Sequence, residues 1–395
     1  MFELFMLRNL YLKLCMSSVF SDVLKKPLLS HFGEFCREGC SEEEKILAYS
    51  AFVCEIYSSG LSLTELVARL IFEDENIYVK SRAMGAKIDK NVQSAVKREL
   101  AVFSELAGLT PEDFRSELGV AYVSPFSSEK KDLVRLYEKR MRSIRTLGYG
   151  IFSSHSMFRV ADSKEIEPII SADKTTVNKF VGYEEERGRV IENTLAFIEG
   201  RPAANTLLCG DAGTGKSSTV KAIANEFFAN GIRLIEIRKD QLSLLPYVMG
   251  KISSNPLKFI IFIDDLAFNK SDDNFSMLKA ALEGSASAKA DNAVIYATSN
   301  RRHIIKEDFD DRDGGEVHRN DTLQETLSLS ERFGLVILFQ KPNKKLYLEI
   351  VRELAERHGI KMELEELEVK AEAFALRRGN RSARCAEQFI DSLIR

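Results

Sequence analysis

The sequence has almost no excess of charge of one sign, which limits what the whole chain can attract. It contains 56 Lys and Arg against 59 Asp and Glu, so its formal net charge is −3 at pH 7. A chain this close to neutrality has no overall attraction to nucleic acid or to an anionic membrane surface. Contact with either would need a local basic patch.

The sequence also lacks the residue spacing of a structural zinc site. Among its six cysteines, Cys36 and Cys40 would share one helix face, but no second pair of Cys or His stands at a matching spacing. We therefore expect no zinc site. Reduced, mostly buried thiols in a cytosolic protein are the simpler interpretation.

A long uninterrupted apolar run is missing as well. The N-terminal stretch MFELFMLRNLYLKLCMSSVF (1–20) is broken by Glu3, Arg8 and Lys13, and no small-residue cleavage site follows it. These features argue against a signal peptide and against a membrane span. The sequence predicts an amphipathic helix here, no membrane partner and a cytoplasmic protein.

Apolar residues are nevertheless plentiful. They make up 45% of the 395 residues, enough for two or three domain cores. Up to about residue 160 they recur at the 3–4 spacing of helices, as in DLVRLYEKRMRSIRTL (132–147). We predict an all-helical N-terminal domain over 1–165, and a polar linker at ADSKEIEPIISADKTT (161–176).

After this stretch, short apolar runs alternate with helical patterns. Several of the runs are continuous and contain β-branched residues, as in strands that are covered on both faces. The alternation predicts an α/β domain over 175–340 with a parallel five-stranded sheet, followed by helices over 341–395. The strand candidates are NTLLCG (205–210), RLIEIR (233–238), KFIIFID (258–264), NAVIYATS (292–299) and LVILF (335–339).

The segment GDAGTGKS (210–217) fits the phosphate-binding pattern G-x-x-x-x-G-K-[ST], between a predicted strand and a predicted helix. Its glycines allow backbone N–H groups to approach phosphates closely, and the helix N-terminus adds partial positive charge. Lys216 is expected to reach the phosphates and Ser217 to bind Mg²⁺. The alternative is a glycine-rich turn before an ordinary helix. The other residues predicted to contact the nucleotide from this segment are Gly210, Asp211, Ala212, Gly213, Thr214, Gly215 and Ser218.

A phosphate loop of this kind needs an acid at the end of a neighbouring apolar strand. KFIIFIDDL (258–266) supplies Asp264 as the predicted metal-binding acid, and Asp265 as a residue that could orient the attacking water. The alternative is a strand that ends in two solvent-exposed acids.

Further segments stand in an order that resembles the AAA+ ATPases. FVGYEEERGRV (180–190) resembles the segment that holds the adenine, and VIYATSN (294–300) the sensor strand with Asn300 at its tip. LSLSERFG (327–334) resembles the box that carries the arginine finger, at Arg332. RRGNRSARCAEQFIDSL (377–393) resembles the second sensor, with Arg381 as the best match and Arg384 next. The adenine contacts implied by the resemblance are Val181, Gly182 and Tyr183.

The resemblance implies a P-loop AAA+ core with a C-terminal helical lid, and ATP and Mg²⁺ as cofactors. Arg332 would then act on the nucleotide of a neighbouring subunit, so a homo-oligomer, either a ring or an open spiral, is expected. The segments IDDLAF, LKAALEG, YATSNRRHI and LSLSERFG also resemble an uncharacterised bacterial family of predicted AAA+ ATPases, over about 175–395.

One residue departs from the AAA+ pattern. These enzymes usually have Glu after the metal-binding Asp, whereas this sequence has Asp265. The shorter side chain ends about one methylene further from the water, and a misplacement of about 1 Å can cost on the order of 100-fold in rate. We predict slow ATP hydrolysis, or hydrolysis that needs a partner.

Three functions remain open from the sequence. The first is an ATP hydrolase that couples its nucleotide state to the remodelling or switching of a macromolecular partner, bound through the N-terminal domain. The second is a loader-type ATPase associated with nucleic acid, which is less favoured because Glu138 interrupts its basic helix face. The third is a nucleotide-binding switch with slow turnover. The basic residues behind the second function are Arg135, Lys139, Arg142, Arg145, Arg301 and Arg302.

Two other segments admit a structural and a functional interpretation. YVMG (247–250) superficially resembles the pore loop of protein unfoldases, but it lies in a helical pattern, and we predict helix packing. The acidic segment 307–325 is predicted to be a solvated insertion; a subunit contact that positions Arg332 is the alternative.

Overall fold

The computed structural model describes residues 6–266, 273–282, 290–300 and 332–394, with only the backbone at 273–276 and 281. It divides the chain into two compact units, which we call unit 1 (Met1–Ser154) and unit 2 (His155–Arg395).

Unit 1 is helical throughout its regular structure. Three of its helices begin at capping boxes, in which Ser41 pairs with Glu44, Ser62 with Glu65 and Thr110 with Asp113, so local sequence fixes where these helices start. The N-terminal segment forms the predicted amphipathic helix. The helices are α1 (Met6–Cys15), α2 (Pro27–Phe35), α3 (Glu42–Ser59), α4 (Leu63–Glu73), α5 (Ile77–Ala83), α6 (Lys90–Ala107), α7 (Pro111–Leu118), α8 (Leu133–Arg142) and α9 (Ile144–Leu147).

One buried carboxyl group lies at the junction between α4 and α5. Asp74 is 8% exposed, and it accepts a hydrogen bond of 2.8 Å from Asn76 Nδ2. Burial raises the pKa of Asp74 to about 6, against the opposing effect of the Asn76 hydrogen bond. This junction therefore favours the protonated acid.

Unit 2 is built on a sheet whose strands run in the order β2-β1-β4-β5-β6-β3-β7. All neighbouring pairs are parallel except β1 and β2. The strands are β1 (Met157–Val160), β2 (Ile166–Pro168), β3 (Thr206–Gly210), β4 (Ile232–Glu236), β5 (Lys258–Ile263), β6 (Ala293–Ser299) and β7 (Leu335–Phe339).

The sheet is wider than predicted, with seven strands among the described residues instead of five. The five predicted strands form β3 to β7. The additional strands lie in segments that the sequence analysis assigned to the helical domain and the linker. They have four and three residues, too few for a periodic pattern to distinguish a strand from a loop.

Unit 2 has one buried core where helices pack on the sheet and another among its C-terminal helices. The core of the α/β part joins Val190 and Ile223 on helices to Leu208, Ile260 and Phe262 on strands. The C-terminal helices form a second buried cluster that includes Val181. The helices of unit 2 are α10 (Glu184–Ile198), α11 (Lys216–Glu226), α12 (Leu245–Ile252), α13 (Asp273–Leu282), α14 (Lys344–Arg357), α15 (Leu364–Arg378) and α16 (Ala383–Ile394).

The segment YVMG lies within α12, as predicted; Val248 and Met249 are buried there, whereas Tyr247 is 39% exposed. Within the described residues, no single helix is long and apolar enough to cross a membrane. Helices α3 and α4 satisfy the length and composition criteria only as a pair, and they are bent by 77°.

Candidate functional site

The loop between β3 and α11 has a backbone that only glycine can adopt at its first position. Gly210 has φ +135°, and a Cβ atom there would lie 2.0 Å from the carbonyl oxygen of Phe339 on β7. Gly213 and Gly215 also have positive φ, at +78° and +88°. The loop therefore turns back over the carboxyl edge of the sheet and directs the start of α11 toward that edge.

Lys216 is buried at the first turn of α11, and its ammonium group closes the loop from within. Its Nζ donates to the carbonyl oxygens of Gly210 (2.9 Å) and Asp211 (2.7 Å) and to Oδ1 of Asn300 (3.1 Å). Burial lowers the pKa of Lys216, while the nearby carboxylates, chiefly Asp211, oppose this effect. A cation surrounded by neutral acceptors is a suitable partner for an anionic group that enters the loop.

Asp264 lies beside Ser217 at the same edge, where β5 ends. Its Oδ1 atom accepts hydrogen bonds from Ser217 Oγ (2.6 Å), from Thr298 Oγ1 (2.5 Å) and from the backbone N–H of Asp265 (3.1 Å). A hydroxyl and a carboxylate are hard oxygen ligands of the kind that Mg²⁺ prefers.

These residues fit Mg²⁺ that arrives with a phosphate ligand. Such an ion usually takes only one or two protein carboxylates and completes its shell with water and substrate phosphates. Among the described residues, no group of three or more His, Cys, Asp or Glu could hold a metal ion.

Asp265 and Asn300 form the next pair of the site. Oδ1 of Asp265 accepts a hydrogen bond of 2.7 Å from Asn300 Nδ2, and the other amide atom of Asn300 contacts Lys216. Asp265 is exposed and has φ +51°, a left-handed conformation. The structure thus joins the predicted lysine, sensor and water-orienting residues in one hydrogen-bonded chain.

The predicted adenine segment lies next to the loop, between the sheet and α14. The ring of Tyr183 packs against Phe339 with centroids 5.4 Å apart, and its hydroxyl donates to the carbonyl oxygen of Gln340 at 2.7 Å. A Cβ atom at Gly182 would lie 2.8 Å from Leu346 on α14. Val181 and Tyr183 are buried, so this segment could contact a base mainly through its backbone.

Two backbone N–H groups connect the C-terminal part of the chain to the loop. The N–H of Arg384, in the first turn of α16, donates to the carbonyl oxygen of Gly213 at 3.3 Å. The N–H of Lys341 donates to the carboxylate of Asp211 at 3.0 Å. Both bonds connect the loop to the chain that carries α14 to α16.

The two candidate second-sensor residues are placed differently. Nε and one terminal nitrogen of Arg381 each bond the carboxylate of Glu372 on α15, both at 2.9 Å, and this pair lowers the pKa of Glu372. Lys344 lies 3.6 Å from the same carboxylate. Arg381 is thus paired within the C-terminal helices, whereas Arg384 is exposed and has its backbone at the loop.

Arg332 lies at the opposite edge of the sheet from the loop. It precedes β7, whose first residue Leu335 pairs with Thr206, while its last residue Phe339 pairs with Gly210 of the loop. The strand alone spans about 13 Å at ~3.3 Å per residue. Arg332 therefore lies beyond the far end of β7 from the loop of its own chain. The predicted roles of Arg301, Arg302 and 307–325, and residues 327–331 of the 327–334 box, fall outside the described residues.

Sequence reasoning missed two residues that shape this site. Thr298 contacts both acids because β5 and β6 are in register, and the register is not readable from either segment alone. Glu372 engages Arg381 from nine residues away across a helix end. Its only signal is an acid on the face of α15 that precedes the arginine-rich turn.

Two comparisons with known proteins bear on the chain. A family model described as "Protein of unknown function (DUF815)" matches residues 153–395. The solved structure of the RuvB Holliday junction branch migration motor of Thermotoga maritima is similar at 13% identity, covering 56% of this chain and 72% of that one, with a TM-score of 0.34. A solved structure of an arginine-to-alanine variant of that RuvB gives 15% identity, the same coverage and a TM-score of 0.35. Likeness at this level establishes neither fold nor activity.

Proposed function

The chain belongs to the family described as "Protein of unknown function (DUF815)", and for this member we propose an AAA+ protein that binds and hydrolyses ATP with Mg²⁺. One observation carries the proposal. Lys216, Asn300 and Asp265 form a continuous hydrogen-bonded chain beside the Ser217–Asp264 pair, at the mouth of a loop that requires glycine. A glycine-rich turn before an ordinary helix would not require these groups to lie together.

Each residue of the site has a role in this proposal. Lys216 would exchange its carbonyl partners for the β- and γ-phosphates. Ser217 and Asp264 would hold Mg²⁺, which would neutralise developing phosphate charge. Asp265 accepts a proton from the attacking water or orients it, and Asn300 holds the Asp265 carboxylate in place. Release of Asn300 by Lys216 would connect phosphate binding to the water-orienting pair.

The C-terminal helices act as a lid in this proposal. The backbone N–H groups of Arg384 on α16 and of Lys341 before α14 both bond the loop, and these bonds would transmit a change in the loop to α14–α16. We assign the second-sensor role to Arg384, because Arg381 is held by Glu372. Unit 1 would bind the macromolecular partner that is remodelled or switched.

Assembly completes the site. Arg332 lies at the amino edge of the sheet and the loop at the carboxyl edge, so a finger role for Arg332 requires a second copy whose amino edge faces the first copy's loop. An arginine that stabilises transition-state charge in this way can contribute about 10³–10⁵ in rate. The proposal therefore includes a homo-oligomer, a ring or an open spiral.

The first experiment measures the rate of ATP hydrolysis per subunit over a wide range of protein concentration, with Mg²⁺ present. Lys216→Ala should abolish hydrolysis. Lys221→Ala is the matched control, because Lys221 is on the same helix but pairs with Glu236 instead of the loop. A rate that climbs with concentration is expected. Absence of nucleotide binding in the wild type, or equal rates for Lys216→Ala and wild type, would contradict the proposal.

A further inference from the structure

Thr298 bonds both acidic residues of the site. It is the penultimate residue of β6, is 2% exposed, and pairs in register with Leu208 on β3. On its other side, β6 pairs with β5 up to Ala297 and Ile263, which brings Thr298 opposite Asp264. Its side chain is thus fixed by the sheet and reaches the acids from within the protein.

The hydroxyl group of Thr298 uses its one hydrogen and one lone pair on adjacent residues. Oγ1 donates to Oδ1 of Asp264 at 2.5 Å and accepts the backbone N–H of Asp265 at 3.0 Å. The carbonyl oxygen of Thr298 accepts the N–H of Leu266 at 2.7 Å. A hydroxyl has a single hydrogen to donate, so the bond to Asp264 determines its orientation.

These bonds set the orientation of Asp264. Oδ1 receives three hydrogen bonds, from Ser217, Thr298 and the N–H of Asp265. Within the described part of the chain, no residue donates to Oδ2. The carboxylate is therefore held by one oxygen and presents the other.

The same hydroxyl supports the backbone of Asp265. This residue has φ +51°, a region that non-glycine residues adopt infrequently, although Asp adopts it more readily than most. Thr298 Oγ1 and Asp264 Oδ1 are the two acceptors of its N–H. Loss of one acceptor would release the turn that aims the Asp265 side chain at Asn300.

We propose that Thr298 is a positioning residue that aligns the metal-binding acid and the water-orienting acid with one hydroxyl group. The inference rests on the proposed ATP hydrolysis and adds a residue that touches neither nucleotide nor metal. A merely structural threonine would affect folding and nucleotide binding together. A positioning residue affects turnover and Mg²⁺ dependence while leaving metal-free nucleotide binding intact.

The test compares Thr298→Val, which keeps the shape but removes the hydroxyl, with Thr298→Ser, which restores the hydroxyl. The control is Thr194→Val. Thr194 is 0% exposed and bonds Tyr296 on the same strand as Thr298 at 2.8 Å, but it touches neither acid. All four full-length proteins, including wild type, are measured for thermal unfolding, for binding of a fluorescent ATP analogue in EDTA, and for hydrolysis as a function of Mg²⁺.

We expect Thr298→Val to lower kcat by about 10- to 100-fold, as a displacement of about 1 Å would do, and to require more Mg²⁺ for half-maximal rate. Binding in EDTA should change by less than a factor of ~3, which corresponds to well under 1 kcal/mol. Thr298→Ser should recover most of the rate, and Thr194→Val should hydrolyse ATP like wild type.

Three outcomes overturn the inference: an unchanged kcat and Mg²⁺ dependence in Thr298→Val, an equal loss in Thr194→Val, or no recovery in Thr298→Ser when that variant is folded. Failure of the proposed function gives a different result, since the wild type itself would then not bind the ATP analogue. If the wild type binds the ATP analogue but does not hydrolyse ATP, binding is measured as a function of Mg²⁺ instead. The inference then expects Thr298→Val to need more Mg²⁺ than wild type, and an unchanged Mg²⁺ dependence of binding overturns it.

Discussion

At the scale of single residues, Asp265 has an uncommon backbone conformation and a proposed role in the site. Its left-handed backbone directs the side chain to Asn300, 2.7 Å away. Residues with uncommon backbone angles persist where surrounding bonds hold them, and they cluster at functional sites. The carboxylate is exposed, so a water molecule can approach it while Asn300 fixes its angle.

Substitutions at Asp265 test both its role and its length. Asp265→Asn should lower kcat by about 10²–10⁴, the usual contribution of a positioned base, with little change in ATP affinity. Asp265→Glu extends the carboxylate by about one methylene toward the water and should raise kcat severalfold. Steady-state hydrolysis and equilibrium binding measure the two effects. Unchanged turnover in Asp265→Glu would count against the length argument.

The two candidate second-sensor residues, Arg381 and Arg384, give a second test at the scale of single residues. Because Arg381 bonds Glu372 through two nitrogens, Arg381→Ala should lower the melting temperature of unit 2. It should leave turnover nearly unchanged. Glu372→Ala should have the same effect on melting, since it removes the same pair. Arg384→Ala should do the reverse, with reduced turnover and nearly unchanged melting. Calorimetry and ATPase assays on the three variants compare these expectations. A large loss of turnover in Arg381→Ala alone would return the second-sensor role to Arg381.

At the scale of elements, the junction of α4 and α5 makes the stability of unit 1 depend on pH. The folded state holds the proton of Asp74 with a pKa of about 6, whereas an unfolded Asp has a pKa of about 3.9. The folded state therefore binds more protons between these values, and the free energy of unfolding should fall as pH rises from about 4 to about 6. This group accounts for at most about 3 kcal/mol, at 1.36 kcal/mol per pKa unit.

Asp74→Asn removes the titrating group and keeps an acceptor for Asn76. The variant should be more stable than wild type at pH 7 and should show a weaker pH dependence between 4 and 6. Denaturant unfolding of both proteins at several pH values measures this difference. Glu43→Gln is a suitable control, because that acid is exposed in the first turn of α3 and is not among the charged groups that act on Asp74. Parallel pH profiles for Asp74→Asn and wild type would show that the junction carries no such proton.

Elements also show how far the sequence alone leads. β3 to β7 lie within a residue or two of their predicted positions, because each is a continuous apolar run between helical patterns. β1 and β2 were not predicted because they have only four and three residues. They are strands because they pair with β4 and with each other. The phosphate loop could be predicted because its glycines, lysine and serine lie within one short segment of sequence. The roles of Thr298 and Glu372 could not be predicted, since they depend on strand register and on packing between helices.

At the scale of the whole molecule, the family match and the division of the chain nearly coincide. The family model covers 153–395, and unit 2 begins at His155. Unit 1 therefore lies outside the match apart from residues 153 and 154. The face of α8 with Arg135, Lys139 and Arg142 is exposed there, and its role in binding a partner stays a prediction.

The position of Arg332 leads to a test that separates action within one chain from action between chains. Lys216→Ala disables the loop of its own subunit but keeps Arg332, and Arg332→Ala keeps the loop but removes the arginine. Each variant alone should be inactive. In a mixed assembly, a Lys216→Ala subunit can supply its Arg332 to the intact loop of an Arg332→Ala neighbour. We therefore expect mixing to restore a fraction of wild-type hydrolysis that depends on the ratio of the two proteins.

The control for this experiment is a mixture of Lys216→Ala with the double variant Lys216→Ala/Arg332→Ala, which contains no intact loop and should stay inactive at every ratio. If the arginine acted within its own chain, no mixture could combine both groups in one site, and activity would not return. The strand register places the loop and Arg332 at opposite edges of the sheet, a geometry that favours recovery. A second arrangement, in which Arg332 has no part in hydrolysis, predicts instead that Arg332→Ala alone hydrolyses ATP at the wild-type rate.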